Sequence, residues 1–177
     1  QVLEEIIQPT LEEMNERGTP FTGILYAGLM ITKSGPKLIE FNVRFGDPEC
    51  QAIAIKLGGQ MLDILWKCTI GQLKTASVNY SNDVGITVIL ANKGYPESFK
   101  SGSKIVGLEN VKENKDIEIF HSGTSLKDHD IIAAGGRVLS ITARANSLKS
   151  GREKVYETIK KVKWPEGFFR KDIGLIK

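Results

Sequence analysis

The sequence predicts an α+β protein built in two parts. Residues 1–74 combine helical apolar spacing with one predicted hairpin, whereas residues 75–177 contain several short strands separated by turn residues. The stretch 72–83 between them is polar and has no strong period, which favours a domain boundary near residue 75. Strands and helices that occur together without regular alternation are typical of the α+β class.

The first predicted element is an amphipathic helix over residues 1–17. Pro9 predicts a kink because it has no backbone N–H, and Gly18 is suited to the C-terminal stop. The helical pattern starts at Gln1, with no capping residue and no start methionine before it. We therefore expect the chain to be a piece of a longer protein that was cut inside a domain.

An antiparallel hairpin is predicted after this helix. Strands over residues 21–31 and 37–45 flank a turn sequence that contains Gly35 and Pro36. Alternation along the second strand assigns four residues to one face: Leu38, Glu40, Asn42 and Arg44. The opposite face is apolar and suited to a core: Ile39, Phe41, Val43 and Phe45.

The polar face of the second strand combines oxygen donors with a guanidinium group. Alternate residues on a strand lie about 6.6 Å apart. Glu40 and Asn42 are hard oxygen donors of the kind that Mg²⁺ prefers, and Arg44 is suited to phosphate or carboxylate. The simpler interpretation is an exposed edge hairpin, with Arg44 in a salt bridge to Asp47 or Glu49.

Two helices are predicted after the hairpin. Asp47 is suited to the N-cap and Pro48 to the first helical position of a helix that continues to residue 57. A second helix is predicted over residues 60–68. Cys50 and Cys68 fall in these apolar helices and match no metal motif, so we expect buried, reduced thiols and a cytosolic protein.

The second part is predicted to be rich in strands, at residues 84–91, 117–121, 130–134 and 137–143. Gly135 and Gly136 lie between the last two strands and predict a two-residue hairpin. Ser147 is a candidate N-cap for a helix that follows, and the Phe168-Phe169-Arg170 sequence is expected to pack back on the sheet.

Composition limits the partners. The chain has 24 Lys and Arg against 21 Asp and Glu, a net charge of +3, which is far from the balance of a dedicated nucleic-acid binder. No apolar run reaches membrane-spanning length. His121 and His129 have no neighbouring ligand pattern and are interpreted as structural. We expect a cytoplasmic protein with small-molecule substrates and no nucleic-acid or membrane partner.

Several motifs resemble one enzyme family. The pattern Glu40-x-Asn42-x-Arg44 on the second strand of a hairpin resembles the metal and phosphate motif of ATP-grasp ligases. The longer runs at 25–30 and 40–49 resemble the phosphoribosylamine–glycine ligase family, also called glycinamide ribonucleotide synthetases. Four motifs of the second part resemble the same family in the same order: Lys93-Gly94-Tyr95-Pro96, Phe120-His121-Ser122-Gly123-Thr124, Gly135-Gly136-Arg137-Val138-Leu139 and Arg170-Lys171-Asp172-Ile173-Gly174.

This resemblance implies the C-terminal part of an ATP-grasp domain, an antiparallel sheet with helices, followed by a small β-rich α+β C-terminal domain. It also implies that an N-terminal part of the chain, including the nucleotide lid, is missing. The family reaction joins glycine to 5-phosphoribosylamine in purine biosynthesis, with ATP and Mg²⁺ or Mn²⁺ as cofactors. The piece alone is expected to be close to inactive, and a monomer is favoured for the intact enzyme.

The resemblance also implies roles for individual residues. Glu40 and Asn42 would ligate the metal. Many members of the wider superfamily carry a second metal carboxylate on the earlier strand, whereas residues 21–32 here contain no acid, so metal binding from this half would rest on these two residues. Arg44 would bind the γ-phosphate or an acyl phosphate. Three further residues complete the set: Asp47 near the substrate, Met30 under the adenine and Arg137 at a ligand phosphate.

Two alternatives remain at this point. One is another ATP-grasp enzyme, either a carboxylase or a different carboxylate–amine ligase. The other is a non-catalytic interaction module. The motifs of the second part argue against the first alternative, and a cut inside a domain argues against the second.

Overall fold

The computed structural model describes residues 1–79, 81–111 and 114–175, and their contacts divide the chain into two units. The first unit comprises Gln1–Asp47 and Gly59–Val78, and the second comprises Pro48–Gly58 and Asn79–Lys177. Both units contain helices and an antiparallel sheet, which confirms the α+β class. The division at residues 74 and 75 stays a prediction, and the contacts group segment 48–58 with the second unit.

The first unit begins with a helix that contains a π-helical turn before Pro9. Leu3–Ile7 form a π-helical turn, and helix α1 (Gln8–Glu16) follows directly. Pro9 has no N–H to donate to the preceding turn, and a π-helical turn is a local irregularity that accommodates such a loss. The predicted stop is confirmed, because Gly18 adopts φ +72 just after the helix.

Strands β1 (Tyr26–Thr32) and β2 (Gly35–Asn42) form the predicted antiparallel hairpin. Both strands are shorter than predicted. Residues 21–25 are not a strand, and Gly23 there has φ +143, which residues with side chains rarely adopt. The second strand ends before residue 43, where the chain bends.

Helix α3 (Gln60–Thr69) lies in the same unit and agrees with the helix predicted over residues 60–68. Asp63 and Lys67 are four residues apart on it and form an ion pair of 2.9 Å. A short 3₁₀ turn, Leu73–Thr75, follows. The polar, non-periodic sequence beyond α3 therefore agrees with the irregular structure seen there.

The second unit is built on a four-stranded antiparallel sheet. Its strands lie in the order β4 (Ile117–His121), β7 (Arg137–Ala145), β3 (Val84–Asn92) and β8 (Gly167–Phe168). The side chains of β7 are buried on both faces of the sheet, and Leu139, Ser140 and Ile141 in succession are 0% exposed. A strand of this kind requires cover on both sides.

Two helices provide this cover. Helix α2 (Glu49–Leu57) lies so close to Gly85 that a Cβ there would be 2.5 Å from one of its carbonyl oxygens. Helix α4 (Leu148–Ile159) lies against Ile86, whose Cγ2 is 3.0 Å from the Cβ position of Gly151. Gly85 and Ile86 are consecutive on β3 and face opposite sides, so the helices pack on opposite faces of the sheet.

The predicted start of α4 is confirmed. The backbone N–H of Ser150 donates to Ser147 Oγ at 3.2 Å, which makes Ser147 the N-cap. After α4 the chain returns to the sheet, where Phe168 of β8 lies opposite Ala91 of β3. The expected return of this aromatic segment to the sheet is therefore confirmed.

The hairpin predicted across Gly135 and Gly136 is wrong. Strand β6 (Asp130–Ala133) pairs with β5 (Thr124–Lys127), whereas β7 pairs with β3 and β4. A two-residue turn of type I′ needs positive φ at both positions, and neither glycine has it. The two residues that join β5 to β6, Asp128 and His129, do have positive φ, at 48° and 70°.

Gly135 and Gly136 instead permit close packing. A Cβ on Gly136 would lie 2.3 Å from Tyr95 Cδ2. Asn92 Nδ2 donates to the Gly135 carbonyl at 2.6 Å, and the Asn92 backbone N–H donates to the Gly136 carbonyl at 2.9 Å. These contacts hold the end of β3 against the chain that leads into Arg137.

An ion-pair network joins β7, α4 and the turn before β4. Asp116 accepts hydrogen bonds from Lys154 Nζ and Arg144 Nη2, each at 3.2 Å. These bonds, from Lys154 first and Arg144 second, lower the pKa of the Asp116 carboxyl below its ordinary value. Lys154 Nζ also donates to the Arg144 carbonyl at 3.2 Å. The side chains of β7 and α4 thus meet at the Asp116 carboxylate in the turn before β4.

We predict that Asp116→Asn lowers the free energy of unfolding at pH 7 by about 1 kcal/mol, since it removes two partly exposed ion pairs. Because the folded pKa lies below the unfolded one, this stabilisation is present above the unfolded pKa and is lost as pH falls through the folded pKa. Urea unfolding at a series of pH values from 7 to strong acid measures the free energy of unfolding of wild type and variant. The difference between the two free energies should become smaller in acid.

The matched control is Asp128→Asn, which removes a carboxylate from a turn and leaves the Asp116 network intact. This control should keep the stability of the wild type at both ends of the pH series. If the difference in free energy of unfolding between wild type and Asp116→Asn stays constant into strong acid, the electrostatic explanation is contradicted.

Candidate metal and phosphate sites

A β-bulge in β2 sets the direction of Glu40. The register pairs Gly28 with Glu40 and Leu29 with Leu38, which leaves Ile39 as an extra residue. Residues directly opposite each other in a hairpin share a face. Glu40 therefore lies on the Gly28 face and Leu38 on the other, so the prediction that Leu38 and Glu40 share one face is wrong.

Glu40 and Asn42 lie side by side on the Gly28 face of the hairpin. Asn42 pairs with Tyr26, two residues before Gly28 on β1, and its Nδ2 donates to Glu40 Oε1 at 3.2 Å. A Cβ on Gly28 would lie 3.1 Å from Glu40 Cγ. The glycine therefore leaves room for the glutamate side chain to lie across β1.

The Glu40–Asn42 pair fits Mg²⁺ or Mn²⁺ as a partial ligand set. A carboxylate and an amide carbonyl oxygen are both hard donors, and Mg²⁺ commonly takes one or two protein carboxylates together with phosphates and water. Within the described residues, no group of three or more His, Cys, Asp and Glu side chains is placed to hold a metal. The remaining ligands of a metal at this pair would come from phosphate oxygens and water.

Arg44 lies beyond the end of β2. The strand ends at Asn42, and Arg44 is exposed in the bend that follows, so strand alternation does not set its direction. The predicted continuation of the polar row to Arg44 is therefore wrong. Its Nη1 donates to the Phe45 carbonyl at 2.8 Å, which uses one of the five N–H donors of the guanidinium.

The helix after the hairpin begins one residue later than predicted. α2 starts at Glu49, and Pro48 is the N-cap residue, with φ −103 and ψ 16 and no side-chain capping bond. Asp47 as N-cap with Pro48 at the first helical position is therefore wrong, because the Pro48 backbone is not helical. Asp47 is exposed just before this helix, and its predicted place near the substrate, as a catalytic residue, stays a prediction.

Met30 lies on the same face of β1 as Gly28. It is opposite Lys37 in the register, and its side chain is 56% exposed. An apolar side chain that remains accessible on this face has the property that contact with an adenine ring requires. That contact stays a prediction.

In the second unit, Arg137 lines a pocket of about 210 Å³ at the start of β7. Tyr95, Phe168 and Phe169 contribute aromatic surface to this pocket, and Arg170 lines it as well. Two arginines among the lining residues of a largely apolar pocket favour an anionic ligand.

Sequence reasoning assigned no role to Arg170, although its motif carried the family resemblance. Arg170 Nε and Nη2 donate to Asp172 Oδ1 and Oδ2 at 3.0 and 2.6 Å, in a bidentate pair. The hydrogen bonds from Arg170 lower the pKa of the Asp172 carboxyl. An arginine and an aspartate two residues apart were the available signal, and only the structure shows that Arg170 lines the Arg137 pocket.

Neither the two histidines nor the two cysteines line the Arg137 pocket. His121 Nδ1 is 2.9 Å from Thr124 Oγ1, and His129 is in the turn between β5 and β6. Neither Cys50 nor Cys68 forms a disulfide, and both are half-buried, so the expectation of buried thiols is wrong. Among the residues that the structure covers, no helix is long and apolar enough to cross a membrane.

The two parts of the chain match two models of one protein family. Residues 1–50 match the phosphoribosylglycinamide synthetase ATP-grasp (A) domain, in agreement with the class predicted from the hairpin motif. Residues 85–176 match the phosphoribosylglycinamide synthetase C domain, which is more than half of the chain. The chain therefore belongs to the phosphoribosylglycinamide synthetase family, and the resemblance found in its motifs is confirmed.

Similar proteins carry a consistent name. A phosphoribosylamine–glycine ligase of Brucella melitensis is 46% identical over 174 residues, which cover 98% of this chain and 41% of that protein. A chloroplastic phosphoribosylamine–glycine ligase of Arabidopsis thaliana is 44% identical over 177 residues, with coverage of 98% and 33%.

The fold has a solved counterpart. A crystal structure of the phosphoribosylamine–glycine ligase of Thermotoga maritima is similar with a TM-score of 0.85 at 30% identity, and the match covers 97% of this chain and 42% of that one. This chain therefore spans 33% to 42% of the length of these three proteins.

We predict that Gly28→Ala weakens metal binding at Glu40. The added methyl group would lie 3.1 Å from Glu40 Cγ and displace the carboxylate from Asn42. The expected result is a roughly tenfold higher dissociation constant for Mn²⁺ in the complete protein with ATP, as for changes that reorient a metal ligand. Electron paramagnetic resonance of free Mn²⁺ measures this constant.

Gly59→Ala is the matched control in the same unit. Its backbone has φ −60, and a Cβ there meets no atom within 4 Å. This variant should bind Mn²⁺ as the wild type does. Equal Mn²⁺ affinity in Gly28→Ala and wild type would show that the absence of a side chain at Gly28 does not control the position of Glu40.

Proposed function

We propose that this chain is part of an ATP-dependent ligase that joins glycine to 5-phosphoribosylamine, giving glycinamide ribonucleotide, ADP and phosphate in purine biosynthesis. The observation that carries the proposal is the Glu40–Asn42 pair, which lies on a hairpin within the match to the ATP-grasp domain. The match of the second unit to the C domain and the names of the similar proteins support the particular reaction.

The proposed reaction has two steps. A carboxylate oxygen of glycine attacks the γ-phosphorus of ATP, the bond to the bridging oxygen breaks, and ADP leaves. The amine of 5-phosphoribosylamine then attacks the acyl carbon of glycyl phosphate, the carbon–oxygen bond to phosphate breaks, and the amine loses a proton. Negative charge on the phosphoryl oxygens must be stabilised by positive groups held in place beforehand.

Residues of the first unit supply several of these groups in the proposal. Glu40 and Asn42 would hold Mg²⁺ or Mn²⁺, which when bound neutralises charge on the β- and γ-phosphates. Arg44 donates its remaining N–H groups to the γ-phosphate or acyl phosphate. Asp47 contacts the substrate beside the turn after the hairpin, and Met30 packs against the adenine ring.

Arg137 is the proposed contribution of the second unit. It lines the 210 Å³ pocket together with Arg170, and it would bind a phosphate group of a ligand. We further propose that the complete protein has additional N-terminal parts, that it is a monomer and that it is located in the cytoplasm. The proposal includes no nucleic-acid or membrane partner.

The test is phosphate release by the complete protein with Mg²⁺ and ATP. Release that requires both glycine and 5-phosphoribosylamine supports the ligase. Release that instead requires a different acid and amine, or bicarbonate, would keep an ATP-grasp reaction and overturn the purine assignment.

We predict that Glu40→Gln removes metal-dependent turnover and preserves the fold. Loss of a direct metal ligand should cost at least the roughly 100-fold that the loss of outer-shell partners reaches. Turnover is measured at rising Mg²⁺, and thermal unfolding of the same sample reports on the fold. Glu16→Gln replaces an exposed glutamate at the end of α1 and is the control. Near-normal turnover in Glu40→Gln would contradict the assignment of Glu40 as a metal ligand.

A further inference from the structure

The chain that follows β8 closes one wall of the Arg137 pocket. We call residues 169–173 the closing segment, and three of its five side chains line the pocket: Phe169, Arg170 and Ile173. The closing segment has no helix or strand of its own. Its path therefore depends on side chains that hold its backbone from outside.

Two side chains of α4 hold the closing segment by its carbonyl groups. Arg152 Nε donates to the Ile173 carbonyl at 3.1 Å, and Arg152 Nη2 donates to the Lys171 carbonyl at 2.5 Å. Tyr156 lies one turn further along the same helix face, and its hydroxyl donates to the Arg170 carbonyl at 2.7 Å. Three of the five carbonyls of the segment are thus fixed from one face of α4.

Arg152 and Tyr156 also order each other. The guanidinium carbon of Arg152 lies 4.5 Å from the centroid of the Tyr156 ring, within the range of a cation–π contact. The Tyr156 ring in turn packs against Phe169, with centroids 6.0 Å apart. A tyrosine hydroxyl is protonated at neutral pH and can donate, and burial raises the pKa of Tyr156 above its ordinary value.

We propose that Arg152 is a positioning residue that sets the affinity of the Arg137 pocket for a phosphate-bearing ligand. Arg152 does not line the pocket; it acts through the closing segment, which carries Arg170 and Ile173 on the pocket wall. The role rests on the proposed ligase function, in which the phosphate belongs either to ATP or to 5-phosphoribosylamine. Lysine is a poor substitute, because an ammonium group lacks the planar fork that reaches two carbonyls at once.

The experiment compares Arg152→Gln with Lys149→Gln in the complete protein. Lys149 is exposed on the same helix, and its replacement removes the same charge but none of the hydrogen bonds that Arg152 and Tyr156 make to the closing segment. For Arg152→Gln we expect about a tenfold higher KM for one phosphate-bearing substrate, the size expected from loss of hydrogen bonds to a charged group. The value of kcat and the KM for glycine should not change, and Lys149→Gln should behave as wild type.

The substrate whose KM rises identifies the occupant of the pocket. A rise for 5-phosphoribosylamine assigns its 5-phosphate to the Arg137 pocket, and a rise for ATP assigns a nucleotide phosphate. Tyr156→Phe provides a second, milder variant, since it removes one of the three hydrogen bonds and keeps the ring. It should raise the same KM by a smaller factor.

Amide hydrogen exchange provides a readout of position that does not depend on turnover. The N–H of Leu175 donates to the Asp172 carbonyl at 3.1 Å, just after the closing segment. In Arg152→Gln this amide should exchange faster, whereas amides of β7 should keep the rate of the wild type. Lys149→Gln should change neither rate.

Three results would overturn the inference. The first is an unchanged KM for both phosphate-bearing substrates in Arg152→Gln and Tyr156→Phe. The second is an equal rise for glycine, which indicates general damage to the enzyme. The third is wild-type turnover that requires neither glycine nor 5-phosphoribosylamine, which overturns the proposed ligase itself and is read from the wild type alone.

Discussion

The antiparallel pairing of β3 with β7 is the constraint on which the second unit depends. Helices cover both faces of this pair, and Val88, Leu139 and Ile141 within it are at most 1% exposed. Each such side chain contributes about 1.5–3 kcal/mol by leaving water. The register ends with Ala91 opposite Arg137, so the same pairing that forms the core places Arg137 at the border of its pocket.

The first unit depends on register in a different way. Its hairpin has little burial to fix it, since Ile31 is 75% exposed and Ile39 is 64% exposed. The bulge at Ile39 determines which face Glu40 occupies. Asn42 lies on the same face two residues later and donates a hydrogen bond to Glu40. The position of the candidate metal ligands therefore follows from strand pairing and from the missing side chain of Gly28.

Local features of the sequence predicted much of this fold. Alternation located β4 at its observed bounds, and Ser147 was recognised as a helix cap. The residue types of the hairpin predicted a metal and phosphate site, and that role stays a prediction. These features depend on residues close in sequence. The bulge at Ile39 and the contact of Arg152 with carbonyls about twenty residues away do not, because both arise from pairing between separate segments.

Glycine and turn residues show the same limit. Gly135 and Gly136 suggested a turn with positive φ, but the structure shows a different use, since the Gly123 backbone approaches Gly135 and the Tyr95 ring approaches Gly136. The turn with positive φ falls instead at Asp128 and His129, where the sequence has no glycine. A glycine can serve conformation or close approach, and local sequence does not separate these two causes.

The most direct test of the central claim follows oxygen atoms from glycine to phosphate. Glycine labelled with ¹⁸O in its carboxylate is supplied to the complete protein with ATP, Mg²⁺ and 5-phosphoribosylamine, and the released phosphate is analysed by mass spectrometry. A glycyl phosphate route predicts that each phosphate carries one ¹⁸O atom and that the amide product keeps the other. Unlabelled phosphate released in step with product would contradict the proposed reaction.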